Sequence, residues 1–418
     1  MDRSSYLNHV AILNEELVCA LGCTEPIAVA LAAALATRTL GQRPERLRVA
    51  CSGNIIKNVK SVTVPNSGGM RGIEAAAALG AMGGDPDGSL EVLQSVSEQD
   101  RRDARSLVEE GRCEVELAEG VPNLYVRVVA LGQGHEAAAC IEERHTNVCE
   151  LSLDGVATGV ATTSGGPGED AGERPAADRS ALSLRSVWDF AHELELSDVD
   201  ELISGQIETN QTISKAGLED RWGANIGSTL LASRPNDISC KARATAAAGS
   251  DARMSGCPLP VTICCGSGNQ GITCSQPVLE YAHELWSDHE TLVRAVALSD
   301  LVAVHVKYFI GELSAFCGAV SAACGAGAGI CYLRGGSFAQ FEATIVNTLA
   351  NVGGIVCDGA KPSCSLKISS GVSTWRSRTT TSSRATAWWA RTPRRPSGPW
   401  AMWDAWACTQ PTSRSSTS

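Results

Sequence analysis

Four short runs decide the fold class: Cys113-Glu-Val-Glu-Leu117, Leu124-Tyr-Val-Arg-Val-Val129, Glu136-Ala-Ala-Ala-Cys-Ile141 and Asn147-Val-Cys-Glu-Leu151. Here the apolar pattern changes to period two, and turns bearing Gly or Asn join the runs. That predicts a small antiparallel sheet over residues 111–160. On both sides the pattern is helical. Upstream, Leu7, Val10, Leu13 and Leu17 share a helix face, and Ile27 to Leu40 is Ala-rich and apolar on most sides, as a buried helix is. Arg48 to Ser52 reads as a short strand, and an Ala-rich helix runs from Arg71 to Leu79. Downstream, helical patterns resume at Leu184 and dominate to Leu366. The expectation is an α+β protein, a mainly helical body with a small antiparallel β subdomain. Residues 1–110 form the N-terminal part of the body, 111–160 the β part, 161–182 a flexible Gly-, Pro- and Ser-containing linker, and 183–371 the second helical part.

The character of the chain changes at Val372. From there to Ser418 it holds seven Arg, one acid and six of its nine Trp. No period runs through this tail. Such a composition reads as a GC-rich gene translated in the wrong frame, the rival being a basic binding arm. Six Trp are unusual for disorder, so a frameshifted, poorly ordered tail is the expectation for 372–418.

Composition narrows the class of partner. The 418 residues carry a formal charge of −11, which speaks against nucleic acid. Seventeen cysteines, an odd number, many beside apolar residues, and an N-terminus without a signal-like apolar region point to reduced thiols in the cytoplasm. Leu313 to Leu333 has no charged residue for 21 positions. Its Ala, Gly, Ser and Cys content is only weakly apolar, so it reads as a buried helix pair and not a membrane span.

The chemistry gathers in motifs. In Cys357-Asp-Gly-Ala-Lys-Pro-Ser-Cys364, Gly359 and Pro362 break any helix, which puts both thiols on a loop. With Cys317 upstream, three thiolates suit an iron–sulfur cluster with one iron left open, although no standard ferredoxin or zinc spacing is present. Three buried cysteines without a metal is the plain alternative. Gly22-Cys23-Thr24-Glu25-Pro26 places Cys23 at a helix start, with Thr24 as the N-cap, where free amides lower a thiol pKa. Pro65-Asn66-Ser67-Gly68-Gly69 and Gly266-Ser267-Gly268-Asn269-Gln270-Gly271 are Gly-rich turns able to cradle a carboxylate, or simple tight turns. The second lacks the acidic residue of a dinucleotide fingerprint.

Together with Gly53-Asn-Ile-Ile-Lys-Asn-Val59, these motifs in this order resemble the L-cysteine desulfidase family, a relative of the iron–sulfur L-serine dehydratase alpha chain. The resemblance covers about residues 5–371. It implies a [4Fe–4S] enzyme that converts L-cysteine and water to pyruvate, ammonia and sulfide. It implies Cys317, Cys357 and Cys364 as ligands, with Cys324 the competing third ligand, and Cys23 as catalytic base. Asn66, Ser67, Ser267, Asn269 and Lys361 are the expected contacts to a small amino-acid substrate. Serine as substrate, or an inactive or redox-sensing cluster protein, stays open, as does a homodimer. The family's usual C-terminal segment is missing after Val372, which puts the activity of this chain in question.

Overall fold

The computed structural model describes residues 1–158, 177–311, 313–314, 316–352, 354–357, 359–361 and 363–372. Among the described residues there are eight strands: β1 Cys19–Leu21, β2 Arg46–Cys51, β3 Cys113–Leu117, β4 Tyr125–Gly132, β5 His135–Glu142, β6 Val148–Leu153, β7 Val156–Ala157 and β8 Pro260–Thr262. Six form one sheet in the order β3-β2-β4-β5-β6-β7. β2 lies antiparallel to β4 but parallel to β3. The β part is therefore as expected, with one addition. It recruits β2 from the N-terminal segment, because alternate residues of β2 (Leu47, Val49, Cys51) need an apolar face to bury.

Helix Thr24–Leu40 lies against β4 and β5 on one side and helix Gly72–Gly83 on another. Its whole stretch from Pro26 to Ala36 is buried, as its all-round apolarity required. Small residues let the two helices close up. At Gly80 a Cβ would come 2.1 Å from the backbone oxygen of Ala30. A backbone atom cannot swing aside, so Gly80→Ala is expected to cost about 3 kcal/mol of stability in urea unfolding. A loss of only a few tenths would show that the helices part easily.

The second half is helical. Helix Gly268–Glu284 is its centre and packs on Asp200–Glu219, Ile238–Met254, His289–Ile310 and Gly318–Leu333. The uncharged stretch 313–333 yields one buried helix, Gly318–Leu333, where a pair was expected. Its first residues instead form an extended bridge, Phe316 to Val356. Among the described residues no helix is long and apolar enough to cross a membrane.

A two-stranded ladder joins the halves. β1 pairs antiparallel with β8, Cys19 opposite Thr262 and Leu21 opposite Pro260. The Ile263 amide extends it to Val18 O at 2.9 Å. This ladder sets Gly22–Cys23 beside the Cys264–Gly268 turn, some 240 residues away in the chain. The last residues read as linker are not loose. The Ala177 and Asp178 amides donate to Glu15 Oε1 and Asn8 Oδ1, and Arg179 pairs with Glu15 and Glu16. The rest of that linker, 159–176, and the tail from 373 lie outside the described residues.

Candidate active site

Cys23, not Thr24, is the N-cap of helix Thr24–Leu40. The Thr24 hydroxyl is directed to Gly266 O at 2.9 Å, tying this helix start to the second Gly-rich turn. Cys23 is 3% exposed and packs in a small group with Val62 and Met254, against which Ala360 and Cys364 lie. Its thiol donates to Glu25 Oε2 at 3.1 Å. Burial, reinforced by the Glu25 charge, pushes the thiol well above its usual range. The expected lowering by the helix terminus is thus overturned. Desolvation of a thiolate outweighs a partial positive charge when no ligand is bound.

The three proposed ligand cysteines come from two segments. Cys317 caps helix Gly318–Leu333, and its amide donates to Ile355 O at 3.1 Å, next to the Phe316–Val356 bridge. That bridge brings the Cys317 and Cys357 segments side by side. Cys364 opens helix Cys364–Gly371, with its sulfur 3.9 Å from Gly359 O. Burial, with Cys357 and Cys364 close enough to add to it, raises the Cys317 thiol to about 11. Cys324 belongs elsewhere: it is fully buried, and the thiol beside it is Cys274. Asp358 and Pro362 of the same loop lie outside the described residues.

The two Gly-rich turns also reach Cys23. Gly22 abuts the Pro65 ring, where a Cβ would meet Pro65 Cγ at 2.1 Å. Gly359 is also close against Lys57 O, where a Cβ would come to 2.5 Å, and this brings the cysteine loop onto the 53–59 motif. Gln270 sits between the second turn and the Cys317 helix: Ser321 Oγ donates to its Oε1 at 2.9 Å. All five motifs therefore border one region. The helices that start there at Thr24, Gly268, Gly318 and Cys364 have no side-chain cap at their first turn.

The expected substrate contacts fare unevenly. Asn66 is committed to the scaffold. Its Nδ2 donates to Leu93 O at 2.9 Å, and its Oδ1 accepts from Arg101 Nη2. This side chain fastens the turn to segment 93–96 and leaves little for a substrate. Ser67 is buried and donates to Met70 O at 3.2 Å. Ser267 is the N-cap residue of helix Gly268–Glu284 but makes no capping bond, and the buried Asn269 Oδ1 has no partner. Lys361 is half-buried on the cysteine loop, where its carbonyl accepts from the Cys364 amide.

Four residues at this site went unread in the sequence: Glu25, Asn58, His145 and Arg253. Arg253, 1% exposed, donates from Nε to Gly22 O at 2.8 Å, and its Nη2 is buried with no partner. No carboxylate within ion-pair reach balances its charge among the described residues. Gly268 makes room for it, since a Cβ there would come 2.5 Å from its Nε. His145, from the β5–β6 turn, reaches Gly266, and its Nε2 is likewise buried and unpartnered. Asn58 Nδ2 holds Glu25 Oε1 at 2.8 Å, leaving Asn58 Oδ1 without a donor. Burial works against the Glu25 carboxylate, but His145, the Cys23 thiol and Arg253 together keep it below its usual range.

The fold and this convergence of thiols, helix starts and the buried Arg253 define a helical α+β protein built around a cysteine-rich site. A family model described as serine dehydratase alpha chain matches residues 87–378. The chain is 47% identical over 368 residues to a UPF0597 protein of Lachnoclostridium phytofermentans, covering 88% of this chain and 87% of that one. It is 46% identical over 368 residues to UPF0597 protein DSY1109 of Desulfitobacterium hafniense, covering 88% and 84%. A UPF0597 protein of Finegoldia magna is 44% identical over 366 residues, covering 87% and 86%. The chain belongs to the serine dehydratase alpha chain family.

Proposed function

We propose that this protein is an iron–sulfur-dependent lyase that converts L-cysteine and water to pyruvate, ammonia and sulfide. The observation that carries the reading is the buried, unpaired guanidinium of Arg253 beside Cys23 and Cys364. Burying a cation with no direct ion-pair partner is costly even with the Glu25 charge in the same region, and a bound anion reduces that cost. Around it, four orphaned polar atoms match an amino-acid zwitterion. Arg253 Nη2 and His145 Nε2 can donate to the carboxylate, the histidine when that nitrogen carries its proton, while Asn58 Oδ1 and Asn269 Oδ1 can accept from the ammonium group.

The donor set fits a [4Fe–4S] cluster. Cys317, Cys357 and Cys364 would hold it: the Cys317 thiol feels those of Cys357 and Cys364, whereas the thiol that Cys324 feels is Cys274. Uncapped helix starts and the Arg253 charge suit its negative charge. When bound, such a cluster supplies an iron able to act as a Lewis acid. The chain itself supplies the proton path. As Cys23 takes the α-proton of the positioned substrate, its own proton passes to Glu25 across the 3.1 Å contact in the same step, so that no free thiolate has to form first. Hydrosulfide leaves from Cβ with the C–S electron pair. The aminoacrylate product then tautomerises and is hydrolysed to pyruvate and ammonia without further help.

The second reading is L-serine deamination, favoured by the description of the matching family. The two substrates differ in one atom, and the binding atoms above serve both. Anaerobically reconstituted full chain assayed with each amino acid separates them. Pyruvate with sulfide from cysteine is expected. Pyruvate from serine alone replaces the substrate assignment, and a loaded cluster with neither product makes the protein a sensor. Size-exclusion chromatography of the same sample tests for a homodimer.

A further inference from the structure

We propose that Cys264, Cys274 and Asp300 bind a second metal ion, a divalent cation of the zinc class, apart from the three-cysteine site. One ligand atom from each of the three lies within 4.8 Å of the other two. They come from three places: the turn after β8, the central helix Gly268–Glu284 and helix His289–Ile310. All three residues are 0% exposed.

A lone buried cysteine is an ordinary small apolar residue. Two thiols meeting a carboxyl in a dry core are harder to explain by packing, because an apolar residue would fill the space at lower cost. Asp300 is also held as a ligand would be. Gln206 Nε2 donates to its Oδ1 at 3.0 Å, which fixes the carboxyl plane. Its Oδ2 is buried and has no N–H or O–H partner. The Cys264 and Cys274 thiols lie beside this carboxyl.

Two thiolates and a carboxylate form a donor set for zinc, and neither magnesium nor calcium favours sulfur. A further donor is at hand in Cys265, whose sulfur lies 3.6 Å from that of Cys264. Cys265 also takes a positive φ of 51°, so this vicinal pair sits on a constrained turn. With no open path to the ligands, the ion would be taken up as the chain folds. Its consequence would be mechanical. It would rivet the root of the Gly266–Gln270 turn to two core helices, just before the residues that touch Thr24, His145 and Arg253.

The test uses the full chain with Cys317, Cys357 and Cys364 all changed to Ser, produced with zinc in the medium. Metal content by plasma mass spectrometry is expected to be about one zinc per chain, resistant to EDTA dialysis. Cobalt grown in its place should give thiolate-to-cobalt charge-transfer absorption. Adding Asp300→Asn, which keeps shape and removes the anionic donor, should lower zinc content while circular dichroism shows a folded chain. Cys264→Ser with Cys274→Ser should abolish it. A folded background variant without stoichiometric metal, or zinc that survives both sets of changes, overturns the proposal. Neither result depends on lyase turnover.

Discussion

Serine at Cys357 is expected to remove the iron–sulfur chromophore and to lower turnover by about a thousandfold or more, since a cluster ligand and its chemistry fail as a unit. Cys317→Ser and Cys364→Ser should do the same. Cys324→Ser is the discriminating control. It lies on the same helix as the Cys317 cap, and its neighbour is Cys274, so the chromophore should survive. Cys23→Ala should also keep the chromophore while turnover disappears, because Cys23 packs beside Cys364 and the role proposed for it is to carry the proton, not to hold the cluster. The measurements are iron and acid-labile sulfide per chain, visible absorbance, and pyruvate release under anaerobic conditions. Loss of the cluster in Cys324→Ser with retention in Cys317→Ser would reverse the ligand assignment.

The sequence was most legible where one period governs a whole element. The alternation in Val126, Val128 and Ala130, and in Ala137, Ala139 and Ile141, gave a sheet face directly, and each of these residues is fully buried. The Ala-rich helix after Cys23 was legible for the same reason. What escaped was the β1–β8 ladder. Three-residue strands show no measurable alternation, and their pairing depends on contacts far apart in the chain. Without that ladder the proximity of Cys23 to the Gly266 turn rests on family resemblance alone. Asn66 shows a different limit. Its turn was read correctly, φ of 54° included among conformations Asn tolerates. Its side chain, however, serves backbone carbonyls of the adjoining segment, a use that no local pattern announces. The thiol of Cys23 was misjudged because helix-terminus logic was applied without burial. Arg253 had a faint signal: a charged residue on a helix otherwise rich in Ala, Gly and Ser, a composition made for close packing.

Arg253→Met is expected to separate stability from function. In the ligand-free protein the guanidinium is buried with no carboxylate at ion-pair distance among the described residues, the Glu25 charge acting on it only from further off, so a Met of similar length should leave stability within about 1 kcal/mol of the parent or raise it. The lost Nε bond to Gly22 O works the other way by about 1 kcal/mol, which is why no large gain is expected. Activity should move much further. Removing a buried charged partner of a carboxylate costs about 2–5 kcal/mol, so kcat/KM should fall by about thirtyfold to a few thousandfold. Arg253→Lys should recover part of this, as a point charge without the planar fork. Urea unfolding, steady-state kinetics and the visible spectrum read the three quantities in the same samples. A raised KM with an intact chromophore assigns Arg253 to the substrate carboxylate. A lost chromophore would mean that its charge balances the cluster. Strong destabilisation without a change in kcat/KM would remove Arg253 from the site and, with it, the observation on which the proposed reaction rests.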